Sequence, residues 1–462
     1  MTPSSEILSI IDKKRHGATH SDAEINTLIA GVMDGSVPDY QLSAWLMAVC
    51  IQGLNLDETV ALTRAFVESG KVLSFSGACA DTADTENTDG VLLKTVDKHS
   101  TGGVGDKTTL ILVPLLASCG VRVAKLSGRG LGFTGGTIDK LEAISGFQTA
   151  LSTEDFTQQV ETLGMAISSQ TADLTPADGK LYALRDVTAT VDSIPLITAS
   201  VVGKKIATGA DVIVLDIKVG QGAFVKSLEE AQQLADWCRA VGERFGKPIA
   251  TVISSMDVPL GNAIGNGVEV QEALDALQGN GPKDLMDVTL ELGAVALVAA
   301  NVVDTVNAGR SVLMAAIDDG RAYQALCDLV NAQTVDTADG ESSAPKSTDI
   351  KLPEPLRVRV LPSPKSGVIS DMDCLAVAKA VKILGGGRQK KEDEIDLSVG
   401  VILHKKPGDR VEAGEPLLEM MSSGKNDDMA WTMLNDAILI GDDVQQVVPQ
   451  QPLILETTLP SS

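Results

Sequence analysis

The chain has 462 residues, 44% of them apolar, and a formal charge of -24 at neutral pH. That length and apolar content suffice for a sizeable core spread over about three domains, and no uncharged apolar run is long enough to span a bilayer. The acidic surplus, with an isoelectric point near 4.5, repels phosphate polymers and anionic lipid, which excludes nucleic acid and the membrane as main partners. A small anion stays compatible, because at a Debye length of about 8 Å a local Lys/Arg pocket governs what an ion meets inside a cleft.

Residues 1–70 read as four short amphipathic helices. "SEILSIIDKKRHG" ends on Gly17 as cap, "SDAEINTLIAGVMDG" opens on Ser21 as N-cap, and "PDYQLSAWLMAVCIQGL" and "LDETVALTRAFVESG" follow. The stretch 77–90, "GACADTADTENTDG", is acidic with almost nothing to bury and reads as a surface loop. Beyond it, "VLLKTV" (91–96), "VRVAKL", "MAISS", "DVIVLDI" and "PIATVIS" are apolar runs separated by helical segments. That alternation predicts a doubly wound, mainly parallel sheet. A polar stretch over 332–349 reads as a linker, and the short strands and Gly/Pro turns of "SGVISDMD" and "HKKPGDRVEAGEPLLEM" predict a small β-rich module. The six cysteines (Cys50, Cys79, Cys119, Cys238, Cys327, Cys374) show neither a CxxC pair nor zinc spacing and read as reduced thiols. The charged N-terminus has no signal-peptide core, so a cytoplasmic location is expected.

Two glycine-dense turns carry the chemistry. A strand over 91–96 would deliver "DKHSTGGVGD" (97–106) to the carboxyl edge of the sheet, where ligands bind in open α/β folds. The glycines let main-chain amides converge on one point while the next helix turns its positive end there, which suits a phosphate. Lys98 would supply charge, and Ser100 and Thr101 hydroxyls. The loop is not a Walker motif, because Asp106 separates Gly105 from Lys107, and Thr108 breaks GxGxxG. Alone it is equally compatible with a ligand-free turn. The next strand runs into "SGRGLGFTGGTIDKLEAI" (127–144), a second such turn on the same edge, which adds Ser127 and Thr137. Downstream, "LYALRDVTATVDSIPLITASVVGKK" holds Arg185, Ser200 and Lys204, the last two at i, i+4 on one helix face. Such a set can read the polar edge of a planar ring or form an ordinary solvated face.

Taken together, "DKHSTGGVGD", "SGRGLGFTGGTIDKLE" and "LTPADGKLYALRDVTATVDSIPLITAS" resemble the pyrimidine nucleoside phosphorylase and thymidine phosphorylase family. The resemblance continues through "GADVIVLDIKVGQGAF", "PLGNAIGNGVEV", "ILGGGRQKKEDEIDLSVGV" and "HKKPGDRVEAGEPL". It implies phosphate attack at C1′ of uridine, thymidine or 2′-deoxyuridine, giving free base and α-pentose 1-phosphate with inversion. No metal or organic cofactor is implied, and family members are homodimers. The implied architecture is a small all-α domain (1–70 with 177–207) on the pyrimidine side facing an α/β domain (71–176 with 208–335) on the phosphate side. An acidic linker (336–350) and a C-terminal α+β module (351–462) complete it. By matching position, Lys98, Ser100, Ser127 and Thr137 would hold phosphate, and Arg185, Ser200 and Lys204 the base. His99 would donate to the pyrimidine 2-carbonyl.

Three departures stand out. Phe133 replaces a histidine common in relatives. Lys107 stands beside residues matched by Gly105, Leu260, Ala263 and Glu272, which in some relatives hold a monovalent cation such as potassium, so its ammonium is a candidate replacement for the ion. The C-terminal module resembles a biotinyl or lipoyl carrier hammerhead, but Asp371, Met372 and Asp373 occupy the place of the carrier lysine, which implies a structural module. The alternatives are a thymidine-specific phosphorylase, a metal-dependent phosphoribosyltransferase of related architecture, and a non-catalytic nucleoside-binding protein.

Overall fold

The computed structural model describes residues 3–75, 94–130, 132, 135–171, 173–335, 350–388, 390, 393–443, 447–448 and 451–460. The acidic stretch 77–90, Phe133 and most of the 332–349 stretch lie outside these residues.

The chain opens with α1 (Pro3–Arg15), α2 (Asp22–Asp34), α3 (Asp39–Gln52) and α4 (Leu56–Glu68). Ser21 closes a capping box with Glu24, and Asn55 closes a second with Glu58, so each helix start satisfies main-chain amides that would otherwise lack partners. Leu28, Trp45, Leu46, Leu62 and Phe66 form the core of this bundle. Under it lies a polar knot. The Trp45 indole donates to His20 Nε2 at 3.1 Å, and the Lys14 ammonium sits 2.6 Å from Glu58, both side chains almost fully buried. Because indole only donates, His20 is the neutral tautomer with its proton on Nδ1; burial, with the Lys14 charge, lowers its pKa.

Next come β1 (Thr95–Ser100), α5 (Thr108–Ala117), β2 (Arg122–Ser127), α6 (Thr137–Leu141), α7 (Thr153–Leu163), β3 (Met165–Ser169), α8 (Pro176–Val187), α9 (Ile194–Ala207), β4 (Val212–Val219), α10 (Leu228–Arg244) and β5 (Ile249–Ser255). The five strands are parallel, in the order β5-β4-β1-β2-β3. Every residue of β4 is buried. Its alternate side chains feed two cores, Val212 and Val214 into one with α5, and Ile213, Leu215 and Ile217 into another with α9 and α10. Helices α8 and α9 also pack back on the bundle through Ala177, Leu181, Leu196 and Ala199.

One expected boundary changes. The strand predicted at 91–96 runs instead over Thr95–Ser100, so Asp97, Lys98 and His99 are strand residues and not turn residues. Long-range pairing makes this possible. Asp97 accepts from Lys205 Nζ at 2.8 Å and Thr208 Oγ1 at 3.2 Å, with Lys125 Nζ 3.8 Å away. Charges that would bar a buried strand are thereby neutralised.

The remaining elements are β6 (Ala263–Gly265), α11 (Gly267–Asp275), α12 (Lys283–Ala299), α13 (Val306–Asp318), α14 (Arg321–Gln333), β7 (Arg357–Pro362), β8 (Gly367–Met372), α15 (Cys374–Val381), β9 (Gly400–Leu403), β10 (Arg410–Val411), β11 (Pro416–Ser422), α16 (Asp427–Asp436), β12 (Ile438–Gly441) and β13 (Ile454–Thr458). The C-terminal module is not closed on itself. Strand β6, from the α/β part, joins its sheet β6-β9-β11-β7, and β13 returns to pair antiparallel with β5. A second sheet, β10-β8-β12, ends at Met372, which is buried, while Asp373 caps α15 by accepting from the Ala376 amide. Strand β8 thus leads directly into α15.

Removing one member of a buried ion pair leaves the other uncompensated, at a cost of about 3–5 kcal/mol. Glu58→Ala is therefore expected to lower the urea midpoint of the bundle strongly, and an unchanged midpoint would show that the Lys14 ammonium finds another partner.

Candidate active site

Parallel register brings the two glycine-rich turns together. Thr95 pairs with Arg122, and five residues on, Ser100 and Ser127 end the neighbouring strands β1 and β2 at the carboxyl edge. The first turn is compact because Gly105 adopts φ 72°, and a Cβ there would stand 2.5 Å from the Leu260 carbonyl. In it, Lys98 Nζ donates to Thr108 Oγ1 at 2.6 Å and lies 3.2 Å from Asp216. Ser100 donates to Asp106, as does Thr108 at 2.6 Å. Burial acts to raise the Asp106 carboxyl, but the Lys98 and Lys218 charges and the two hydroxyls outweigh it and hold it well below the usual carboxylate range.

In the second turn Ser127 ends β2 and Thr137 begins α6, a helix of only five residues. A buried lysine joins the turns, with Lys140 Nζ donating to the Asp106 carbonyl at 2.8 Å and lying 2.7 Å from Glu269 on α11. Three residues along α11, Glu272 takes Lys107. The Lys107 ammonium is buried 2.5 Å from that carboxylate, 3.0 Å from the Leu260 carbonyl and 2.8 Å from the Ala263 carbonyl. It thus stands among three of the oxygens that the sequence marked as a cation cage.

His99 lies near the end of β1, next to Lys98 in the chain. Burial, followed by the fields of Lys205, Lys125, Lys204 and Lys98, drives its pKa well below the ordinary 6.5. At neutral pH the imidazole is uncharged, so one ring nitrogen can donate and the other accept.

Helices α8 and α9 bring Ser200 and Lys204 onto one carboxylate. Ser200 donates to Asp178 Oδ2 at 3.0 Å, and Lys204 Nζ lies 2.9 Å from the same atom. The Tyr182 ring completes the face, with Lys204 Nζ 5.2 Å and the Arg185 guanidinium 5.8 Å from its centroid. Arg185 is buried and gives three donors to carbonyls, of Thr190 at 3.1 Å, Val191 at 2.7 Å and Leu196 at 3.2 Å. Its first act is to staple the segment entering α9, leaving two N–H groups for anything else. Asp178 and Tyr182 were missed from sequence, although residues 178, 182 and 185 fall on one face of α8.

Residues 8–70 match the helical bundle domain of a glycosyl transferase family, residues 92–323 the α/β domain of the same family, and residues 368–441 the pyrimidine nucleoside phosphorylase C-terminal domain. A curated pyrimidine-nucleoside phosphorylase from Staphylococcus haemolyticus is 46% identical over 94% of this chain and 96% of its own length. One from Staphylococcus aureus is 45% identical over 95% and 97%. Among solved structures, anthranilate phosphoribosyltransferase from Thermus thermophilus aligns with a TM-score of 0.55 at 19% identity, over 70% of this chain and 99% of that one, which shows a shared fold. By domain content, and by identity sustained along nearly its whole length, the chain belongs to the pyrimidine-nucleoside phosphorylase family.

Proposed function

We propose that this protein carries out reversible phosphorolysis of pyrimidine nucleosides, with phosphate displacing the base at C1′ and leaving α-pentose 1-phosphate. The observation that supports the reading is a lysine- and hydroxyl-lined pair of βα turns on one sheet edge together with a second cationic face on α8 and α9, with His99 subject to the charges of Lys98 from the first and Lys204 from the second.

In this reading Lys98, Ser100, Ser127 and Thr137 hold orthophosphate. The Ser100 hydroxyl, now given to Asp106, turns to a phosphate oxygen, and Asp106 keeps Thr108 in place. Phosphate beneath C1′ offsets positive charge growing on the sugar, while Lys204 and the free N–H groups of Arg185 offset negative charge growing on the ring. Orientation of two reactants in a closed cleft supplies much of the remainder. Phosphate also acts on His99. Its negative charge cancels part of the lysine field that keeps the imidazole neutral, so binding raises the affinity of His99 for a proton as the base departs.

Residues 1–70 with 177–207, and 71–176 with 208–335, are proposed to close on each other as two bodies. The chain is proposed to act in the cytoplasm as a homodimer. Among the described residues no helix is long and apolar enough to cross a membrane, and Leu8 on α1, Tyr40, Met47 and Ile51 on α3 and Val187 on α8 expose a group of apolar side chains. Both ribosides and 2′-deoxyribosides are proposed as substrates. The Lys107 ammonium is proposed to replace potassium, because the oxygens that would coordinate an ion already surround it.

The deciding assay is release of free uracil from uridine. Release that requires phosphate and no added magnesium is expected, and release without phosphate, or none at all, would overturn the reading. Lys204→Ala and Arg185→Ala should each lower kcat/KM by about 2–4 kcal/mol, roughly 30- to 1000-fold, while phosphate KM holds; near-normal rates in either would remove the base-side assignment. Activity should be indifferent to replacing potassium by a bulky organic cation, and Lys107→Thr should acquire a potassium requirement; a strict requirement in the unaltered protein refutes the substitution. His99 gives a pH signature. The unfolded imidazole takes a proton near 6.5 and the folded one does not, so stability falls as pH drops below that value. His99→Asn should show a smaller fall in Tm between about pH 7.5 and about pH 5.5, measured by calorimetry.

A further inference from the structure

The second glycine-rich turn is held from outside the α/β domain. Arg388, in the loop after α15 of the C-terminal module, places Nη1 2.8 Å from Asp139 Oδ1. Asp139, on α6, is 1% exposed. Its Oδ2 accepts the Gly130 amide at 2.6 Å, and its Oδ1 also takes Arg129 Nη1 at 3.1 Å. The two ends of the turn are in contact, since a Cβ on Gly136 would stand 2.1 Å from the Gly130 nitrogen. Fixing Gly130 therefore fixes Gly136, and Thr137 is the next residue. Two further contacts join the module to the α/β part. Lys382 donates to the Gly132 carbonyl at 2.9 Å, and Asn266, just before α11, donates to the Gly386 carbonyl at 2.8 Å.

We propose that Arg388 is a positioning residue for phosphate: through Asp139 it holds Gly130 against Gly136 and so sets the position of Thr137, which makes the C-terminal module part of the phosphate site without touching the anion. Arg129 cannot carry this alone. Its side chain is 48% exposed and already forks onto Glu142, whereas the Arg388 side chain is 20% exposed and closes the buried face of Asp139. With Arg388 gone, the buried carboxylate loses half its cationic support and the amide it organises loosens. Displacements of about 1 Å at such a site cost up to about 100-fold.

The proposal rests on the placement of phosphate at Ser127 and Thr137 given above, so the experiment separates the two. Steady-state KM values for phosphate and for uridine are measured in the full chain for Arg388→Ala, Arg388→Lys, Lys98→Ala and Arg359→Ala. Arg359 lies on β7, at the opposite edge of the module's sheet from β6, stacked 4.1 Å from the Trp431 ring; its loss loosens the module without touching the turn. Arg388→Ala should raise phosphate KM about tenfold and shift uridine KM less than about twofold, Arg388→Lys should recover at least about threefold, and Arg359→Ala should leave both near normal. An unchanged phosphate KM in Arg388→Ala beside a raised one in Lys98→Ala overturns the brace and keeps the phosphate site. An unchanged value in Lys98→Ala overturns both, and an equal shift in Arg359→Ala also overturns the brace. Should the alanine variant fail to fold, Arg388→Gln read by the same two values decides.

Discussion

The site depends on burying ammonium groups under the carboxyl edge of the sheet beside carboxylates, two of them, Lys125 and Lys205, sharing Asp97. Lys98 stands against Asp216, Lys205 and Lys125 against Asp97, Lys140 against Glu269 and Lys107 against Glu272, all with little or no solvent contact. A buried charge is tolerated only with a partner, and losing one partner costs far more than the pair gains. Pairing therefore fixes the strand end, both turns and the start of α5 in one arrangement. The result is a floor of buried lysines interleaved with carboxylates, in a chain whose net charge is -24.

The same pairing explains why separate parts of the chain share one site. Glu269 and Glu272 lie one turn apart on α11, and each seats a lysine from a different glycine-rich turn. Helix α11 follows β6, which belongs to the C-terminal sheet. Backbone pairing and ion pairs thus form a contiguous connection from that sheet to both turns. On the other face, Asp178 gathers Ser200 and Lys204 while Arg185 ties the entry to α9. Each half of the candidate site is held in place by carboxylates and carbonyls.

Local pattern made much of this readable. The Ser21 cap, the apolar runs and the glycines of the two turns are short-range signals, and helices α1–α4 and the five parallel strands follow from them. The β1 boundary was misplaced because Asp97 and Lys98 read as turn residues until Lys205 and Asp216 are brought beside them from more than 100 residues away. The transfer of β6 and β13 between sheets has no local signal, since short strands take their partners from tertiary packing. Asp178 and Tyr182 were different. Their helical spacing with Arg185 was present, but nothing on a single helix says which polar face looks into a cleft.

Strand β13 couples the last part of the chain to the middle of the fold. Until residues 454–458 have been synthesised, β5 is an open edge with unpaired main-chain groups along an otherwise apolar strand. The α/β layer therefore completes its sheet edge only with the last strand of the described chain.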